Sequence, residues 1–159
     1  MFVGKHDVKV DGQGRASFPL VFRQAMGKQN QDTLFVFPGM LDTELSMTGC
    51  TAEVFDLLVD GSYRWDVNSR EMARLLEFTT GEATMQEIDG KHRITLDRER
   101  FGKMGVGDTV RFVGYGHFFH VWEPSRHDGF RRSLREEGPL PTVNIHAELS
   151  RMLREARAK

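Results

Sequence analysis

The sequence is poor in the residues that build disulfides, cysteine-based metal sites or membrane spans. Cys50 is the one cysteine among 159 residues, which excludes an intramolecular disulfide and a cysteine-rich zinc cluster. No apolar run approaches the roughly 20 residues that cross a bilayer. The first residues, Met1–Asp7, lack the pattern of a secretory signal peptide. These absences predict a cytoplasmic protein that is not bound to a membrane.

The chain also lacks an excess of charge of either sign. Its 22 Lys and Arg residues nearly balance 23 Asp and Glu residues, for a net charge of -1. If the protein binds nucleic acid, it must do so by placing positive charge locally, because the whole molecule is not a polycation. Hydrophobic residues at 39% and charged residues at 28% are typical of a soluble globular protein and argue against general disorder.

Motifs that mark common enzymes are absent as well. The sequence has no Walker loop, nucleophile elbow or dinucleotide fingerprint. The glycine-rich stretch from Gly102 to Gly107 lacks the Lys-Ser/Thr that would follow in a phosphate-binding loop. His117 and His120 lie three residues apart on a predicted strand, so they face opposite sides and do not converge on a metal ion. We therefore predict no enzymatic activity, no catalytic residues, no cofactor and no metal site.

Two short segments of the chain resemble each other. Residues 8–18 read VKVDGQGRASF and residues 86–96 read QEIDGKHRITL. Chance rarely supplies such a match together with the same order of predicted elements, so the pattern predicts a duplicated β-rich module. At an offset of 78 residues the matched motif positions are Asp11 with Asp89, Gly12 with Gly90, and Arg15 with Arg93.

The match continues beyond the motif with a change of register. Met26-Gly27 corresponds to Met104-Gly105 at the same offset, which then falls by two. A loop two residues shorter in the second copy explains this change, because loops absorb differences in length at small cost. On this alignment Thr33-Leu34 corresponds to Thr109-Val110, and Glu44-Leu45 corresponds to His120-Val121.

Local patterns predict the same elements in each copy. Apolar residues alternate on both sides of Asp11–Gly14, which predicts two strands joined by an Asp-Gly hairpin turn. Pro19 suits the first position of a helix that runs to Met26, and Gly27 ends it. A buried strand follows at Thr33–Phe37. The second copy repeats these elements, with strand residues Ile94 and Leu96, a helix from about Asp97, and strands at 109–113 and 118–122.

Further helices are predicted between and after the copies. Thr51 and Ser69 are suited to cap two helices of a connector, and a third helix follows Pro124. After a Gly138–Pro141 break, a C-terminal helix places Leu149, Met152 and Leu153 among its apolar residues and spaces Arg151, Arg154 and Arg157 by three. The predicted class is α+β, with module 1 at 1–50, the connector at 51–81, module 2 at 82–125 and a helical tail at 126–159.

The Asp-x-x-x-Arg motif allows two interpretations. Arg15 can simply brace its own turn through Asp11, because surface ion pairs are common though weak. Alternatively, the aspartate orients the guanidinium for bidentate contact with guanine or phosphate, and Arg15 and Arg93 then form a paired basic edge. Nearby lysines suit phosphate contacts or a solvated strand face equally well; they are Lys5, Lys9 and Lys91.

The first residues, MFVGKHDVKVDGQGRASFP, resemble the start of the MraZ family, transcriptional regulators of the division and cell wall gene cluster. That family has a Met-Phe-x-Gly opening and an Asp-x-x-Gly-Arg-x-x-x-Pro motif. The resemblance covers roughly residues 1–125. It rests here on Asp11, Gly14, Arg15, Pro19 and Arg23, on the repeated Asp89 and Arg93, and on the Trp122-Glu123 pair.

The resemblance implies a SpoVT/AbrB-like fold, in which two swapped-hairpin modules form an intramolecular pseudo-dimer. It also implies a ring-shaped homo-oligomer that binds double-stranded DNA at promoter direct repeats, including its own promoter, and that is associated with the nucleoid. The candidate DNA-binding residues are Arg15, Arg93, Asp11, Asp89, Lys9, Lys91, Gln13 and Lys5.

This chain differs from the family pattern in several places. Gln13 stands where a lysine is frequent, His92 replaces the glycine of the first copy, and Asp97 replaces Pro19. Because the first copy matches better, we expect Arg15 to matter more than Arg93. A protein-binding module remains the alternative: AbrB-like folds also occur in antitoxins, and the amphipathic C-terminal helix is suited to dock a partner.

Overall fold

The structure, a computed structural model, describes residues 1–27, 32–39, 45–139 and 145–158. The described strands are β1 (Lys5–Lys9), β2 (Arg15–Ser17), β3 (Thr33–Pro38), β4 (Ser46–Thr51), β5 (Thr84–Glu87), β6 (Arg93–Thr95), β7 (Thr109–Tyr115) and β8 (Phe118–Trp122). The described helices are α1 (Leu20–Ala25), α2 (Ala52–Ser62), α3 (Ser69–Phe78), α4 (Arg98–Met104), α5 (Pro124–Glu136) and α6 (Ile145–Arg157). The predicted α+β class is confirmed.

The strands form two antiparallel assemblies. Six strands make a sheet in the order β1-β7-β8-β4-β3-β5, and β2 pairs with β6 in a separate two-stranded ribbon. Each repeat places its first strand on the other repeat. Strand β1 pairs with β7 of the second copy, and β5 of the second copy pairs with β3 of the first. The two repeats therefore share one sheet, although their origin as a pseudo-dimer stays a prediction.

The prediction that β1 and β2 pair with each other as the two strands of a hairpin is wrong. The turn itself closes, with the Asp11 amide donating to the Arg15 carbonyl at 3.0 Å and the Gly14 amide donating to Asp11 at 3.0 Å. Beyond it, only a bridge between Val10 and Ala16 joins the two arms. The arms separate because each finds its longer ladder on the other repeat, which no local pattern reveals.

The registers are symmetric about two pairs of facing residues. Ala16 lies opposite Ile94 in the ribbon, and the two are equivalent at the offset of 78. Thr48 likewise lies opposite His120 where β4 pairs with β8. When β3 is aligned with β7 at the reduced offset, each strand's pairing with the next strand makes Thr48 of β4 the equivalent of His120 of β8. Glu44 is therefore not its equivalent.

The predicted alignment of Glu44-Leu45 with His120-Val121 is therefore wrong. Residues 39–45 separate β3 from β4, whereas Gly116 and His117 alone separate β7 from β8. A sequence comparison that does not know where these strands end cannot detect so large a difference in loop length. Glu44 itself lies outside the described residues, and Leu45 comes just before β4.

The core beneath the ribbon is a cluster of phenylalanines. Phe22 is fully buried, and its ring centroid lies 5.1 Å from that of Phe2 and 5.7 Å from that of Phe119. Phe18 and Phe112 complete the cluster. The inward side chains of the ribbon, Ala16 and Ile94, are buried in the same core. Packing therefore anchors one face of the ribbon and leaves its other face outward.

Two of the predicted helix starts are confirmed by their capping hydrogen bonds. The Thr51 hydroxyl accepts a hydrogen bond from the Val54 amide and caps α2, and Asp97 caps α4 by accepting from the Glu99 amide. Two starts are corrected. Pro19 precedes α1 as its cap residue instead of opening it. Asn68 and not Ser69 caps α3, because its side chain and that of Glu71 satisfy each other's backbone amides.

The described residues divide into two compact units, Met1–Asp128 and Gly129–Lys159. The division of the chain into two modules, a connector and a tail, which the sequence predicts, stays a prediction. In the second unit, Leu149, Met152 and Leu153 of α6 are each more than half exposed. No helix in the described part of the chain is long and apolar enough to cross a membrane.

Candidate nucleic-acid interface

The first Asp-x-x-x-Arg turn is held by the carboxylate of Asp11. Its Oδ1 accepts hydrogen bonds from the backbone amides of Gln13 at 2.9 Å and Arg15 at 3.0 Å. Its Oδ2 accepts a further bond from Nε of Arg15 at 2.6 Å. One side chain thus shapes the turn and orients the guanidinium at the same time. This local motif explains why the turn was predictable from five residues.

The second turn repeats this geometry. Oδ1 of Asp89 accepts from the amides of Lys91 at 2.8 Å and Arg93 at 2.9 Å. Its Oδ2 accepts from Nε of Arg93 at 2.9 Å. The two turns therefore present their arginines in the same way, despite the change from Gly14 to His92.

These hydrogen bonds keep both carboxylates ionised. The backbone amide of Arg15, followed by its side chain, lowers the pKa of Asp11 to about 2. The corresponding bonds from Arg93 also lower the pKa of Asp89 below its ordinary value. A carboxylate with a depressed pKa stays charged down to acidic pH, so the orientation of each arginine does not depend on pH in the neutral range.

Each arginine can brace its own turn through Nε and still offer its terminal nitrogens to a ligand. Of the three guanidinium nitrogens, Asp11 and Asp89 engage only Nε, and the terminal nitrogens have no hydrogen-bond partner among the described residues. The side chains of Arg15 and Arg93 are 35% and 26% exposed. A guanidinium held by Nε with both Nη groups available is suited to bidentate contact with guanine or phosphate.

The ribbon places both arginines on one face. Arg15 lies opposite Thr95, and Arg93 lies opposite Ser17. Directly opposed residues of an antiparallel pair share a face, so both arginines lie on the face opposite to buried Ala16. From strand spacing their Cα atoms are roughly 8 Å apart along the diagonal. The major groove of DNA admits a two-stranded ribbon, and this one carries a guanidinium near each end.

The backbone of each turn is tied to the other repeat. Gly14 accepts a hydrogen bond from the Leu96 amide at 2.8 Å, and His92 accepts one from the Phe18 amide at 2.8 Å. Both turn residues adopt left-handed backbone conformations, with φ of 80° and 61°. Glycine takes this conformation freely, whereas histidine takes it at some cost.

We expect Gly14→Ala to lower the free energy of unfolding by about 2 kcal/mol. A Cβ at Gly14 would lie 2.6 Å from the Leu96 carbonyl oxygen, in addition to the strain of the positive φ. Urea denaturation followed by circular dichroism measures the effect. His92→Gly is the matched control and should not destabilise, because it removes strain at the equivalent position. Equal stability of Gly14→Ala and the parent protein would contradict this account of the turn.

The other candidate residues are distributed unevenly. Lys91 and Gln13 occupy equivalent exposed positions at the two turns. Nζ of Lys9 lies 3.7 Å from Asp108 in a highly exposed ion pair, which is weak. Lys5 lies four residues from Lys9 along β1, a distance of roughly 13 Å by strand rise, so the structure does not bring it to the turns. The role of these residues in DNA binding stays a prediction.

Arg98 is a cation near the ribbon that the sequence interpretation missed. A Cβ added to Gly14 would lie 2.9 Å from Cγ of Arg98, so the stem of this side chain passes over the first turn. Arg98 is the first residue of α4 and belongs to the other repeat. Nothing local in the sequence indicates this proximity, which arises from the exchange of strands between repeats.

In the described part of the chain, no group of three or more His, Cys, Asp or Glu side chains is arranged to hold a metal ion. His120 is buried in β8 and its ring stacks on Tyr115 with centroids 4.0 Å apart. Burial lowers its pKa to about 4. His120 is thus a neutral structural residue at the centre of the sheet.

The chain is similar to several proteins named as transcriptional regulators. The chain is 31% identical to the transcriptional regulator MraZ of Azorhizobium caulinodans over 137 residues, covering 85% of this chain and 83% of that protein. It is 30% identical to MraZ of Xanthobacter autotrophicus, covering 79% and 78%, and 24% identical to MraZ of Rickettsia peacockii, covering 92% and 99%. No protein-family model matches the chain.

Proposed function

Because the chain belongs to the MraZ family of transcriptional regulators, we propose that it regulates transcription by sequence-specific binding to double-stranded DNA through the β2·β6 ribbon. The targets would be promoter direct repeats of the division and cell wall gene cluster, including the protein's own promoter. Its working form is a ring-shaped homo-oligomer in the cytoplasm, associated with the nucleoid. It is a regulator and not an enzyme.

The observation that supports this proposal best is the pair of braced guanidiniums on one ribbon face. Asp11 and Asp89 hold the two arginines by Nε at 2.6 Å and 2.9 Å, so their Nη groups are oriented before any DNA arrives. Such preorganisation reduces the entropy that binding must otherwise remove. Arginine bound to O6 and N7 of guanine is the commonest specific contact in the major groove.

A single ribbon covers only a few base pairs, so we expect one subunit to bind weakly. A ring that presents several ribbons can engage spaced repeats together and gains affinity through effective concentration. The proposal therefore links the oligomer to the direct repeats. Binding at a promoter would then block or redirect RNA polymerase.

We expect the affinity for DNA to fall steeply with salt although the net charge is -1. Each phosphate neutralised by a cation contributes a slope of about -0.9 to the dependence of log K on log salt. Two cationic side chains that each neutralise one phosphate therefore give a slope of about -1.8. Fluorescence anisotropy with a labelled fragment from upstream of the protein's own gene, between about 50 and 200 mM salt, measures this slope. A flat dependence would rule out binding by a local basic surface.

One observation favours a second candidate function. Leu149, Met152 and Leu153 of α6 expose apolar surface within the second unit, as expected of an antitoxin-like helix that docks a partner. A pull-down with the full chain and with a chain ending at Gly138 distinguishes the two candidates. A stable heterologous partner lost on truncation, in a protein that does not bind DNA, would support the antitoxin-like function.

A further inference from the structure

The two turns of the ribbon differ in the cations beside them. The second turn carries Lys91 at the position where the first turn carries Gln13. At the first turn, the side chain of Arg98 passes over Gly14 instead. The residue equivalent to Arg98 in the other copy is Leu20, because the two copies are offset by 78 residues. Lys91 and Arg98 are therefore cationic side chains that come from different elements and have no cationic equivalent at the other turn.

The position of Arg98 depends on the bare backbone of Gly14. A Cβ there would lie 2.9 Å from Cγ and 3.5 Å from Cδ of Arg98, so only glycine leaves room for the stem to pass. At the second turn His92 carries a side chain in the equivalent place. The two copies thus differ at both positions together. The first turn has Gly14 with Arg98 beside it, whereas the second turn has His92, and Leu20 is the equivalent of Arg98.

The guanidinium of Arg98 is available for a ligand. Arg98 is exposed, and within the described residues its side chain makes no hydrogen bond or ion pair. Its acidic neighbour Asp97 is already engaged, because it accepts from the Glu99 amide at 2.9 Å and lies 3.7 Å from Nε of Arg100. No carboxylate holds Arg98 in the way that Asp11 holds Arg15.

We propose that Arg98 binds a DNA phosphate beside the first turn and supplies there the positive charge that Lys91 supplies at the second. This inference rests on the proposed function of the ribbon. Arg98 belongs to the start of α4 and not to the ribbon face that carries Arg15 and Arg93. It therefore contacts the phosphate backbone and contributes equally to binding of any sequence.

The test compares Arg98→Ala, Arg98→Lys and Arg64→Ala on two labelled DNAs: the fragment upstream of the protein's own gene and a scrambled fragment of equal length. Arg64 is an exposed arginine after α2, which packs on β3 and β4. We expect Arg98→Ala to reduce the magnitude of the salt slope by about 0.9 on both DNAs. Arg98→Lys should retain the slope, and Arg64→Ala should leave it unchanged.

A second variant tests the compensation directly. Gln13→Lys in the Arg98→Ala protein restores a cation to the first turn, so the salt slope should return to the parent value. Thermal denaturation of each variant verifies that it is folded. An unchanged slope in folded Arg98→Ala, or no restoration by Gln13→Lys, would overturn the inference.

Arg15→Ala, measured in parallel, separates this inference from the proposed function. If Arg15→Ala loses discrimination between the two DNAs and Arg98→Ala keeps the parent slope, the function stands and the role of Arg98 fails. If neither variant alters binding, the ribbon is not the interface and both proposals fail.

Discussion

Arg15→Ala is expected to weaken binding to the upstream DNA by about 1–3 kcal/mol and to leave binding to scrambled DNA nearly unchanged. The loss falls on the specific site because a bidentate guanidinium contact reads a base edge. The variant should still fold, because Asp11 keeps its bonds from the backbone amides of Gln13 and Arg15. Competition anisotropy with both DNAs measures the discrimination.

Two matched variants sharpen this prediction. Arg15→Lys keeps the charge but lacks the planar fork, so it should not restore discrimination. Arg93→Ala should reduce it less, because Arg93 is the less exposed of the two arginines, at 26% against 35%, and lies in the copy that matches the family motif less well. Unchanged affinity for the upstream DNA in folded Arg15→Ala would disprove the assignment.

The largest effect on stability is expected from Phe22→Ala, which should lower the free energy of unfolding by about 3–5 kcal/mol. Phe22 is fully buried and its ring contacts those of Phe2, Phe18 and Phe119 at centroid distances of 5.1, 5.8 and 5.7 Å. Removing the ring leaves a cavity beneath the ribbon that aromatic neighbours cannot fill without leaving their rotamers. Urea denaturation quantifies the loss.

Leu20→Ala on the same helix is the control for Phe22→Ala. Leu20 is 57% exposed, so its truncation should change the free energy of unfolding by about 0.5 kcal/mol or less. Similar effects of the two substitutions would mean that α1 is not anchored through Phe22. DNA binding by Phe22→Ala should decline in parallel with its folded fraction, because the ribbon rests on the same core.

Features set by neighbouring residues were predictable from the sequence. The Asp-x-x-x-Arg turn is made by hydrogen bonds within five residues, and Thr51 caps α2 through a bond to an amide three residues on. Gly27 ends its helix region in the left-handed conformation, with φ of 79°, because glycine lacks a Cβ. In each case the interaction that decides the structure is encoded next to the residue that makes it.

Features set by pairing between the repeats were not predictable. The alternating pattern of β1 predicts a strand but does not select its partner, which is β7 and not β2. The alignment of Glu44-Leu45 failed because the loop before β4 has no counterpart of similar length before β8. Arg98 reaches Gly14 across the repeats, so its proximity depends on the whole topology.

The presence of two unlike turns in one chain makes the two ends of the β2·β6 ribbon different. Two identical turns, as in a homodimer of single modules, would look the same from either end of the duplex and favour a palindrome. Here one end of the ribbon has Gln13 and Gly14, whereas the other has Lys91 and His92. Rotating the chain by half a turn on a DNA site would therefore exchange unlike groups, so we expect one orientation on the DNA to be favoured.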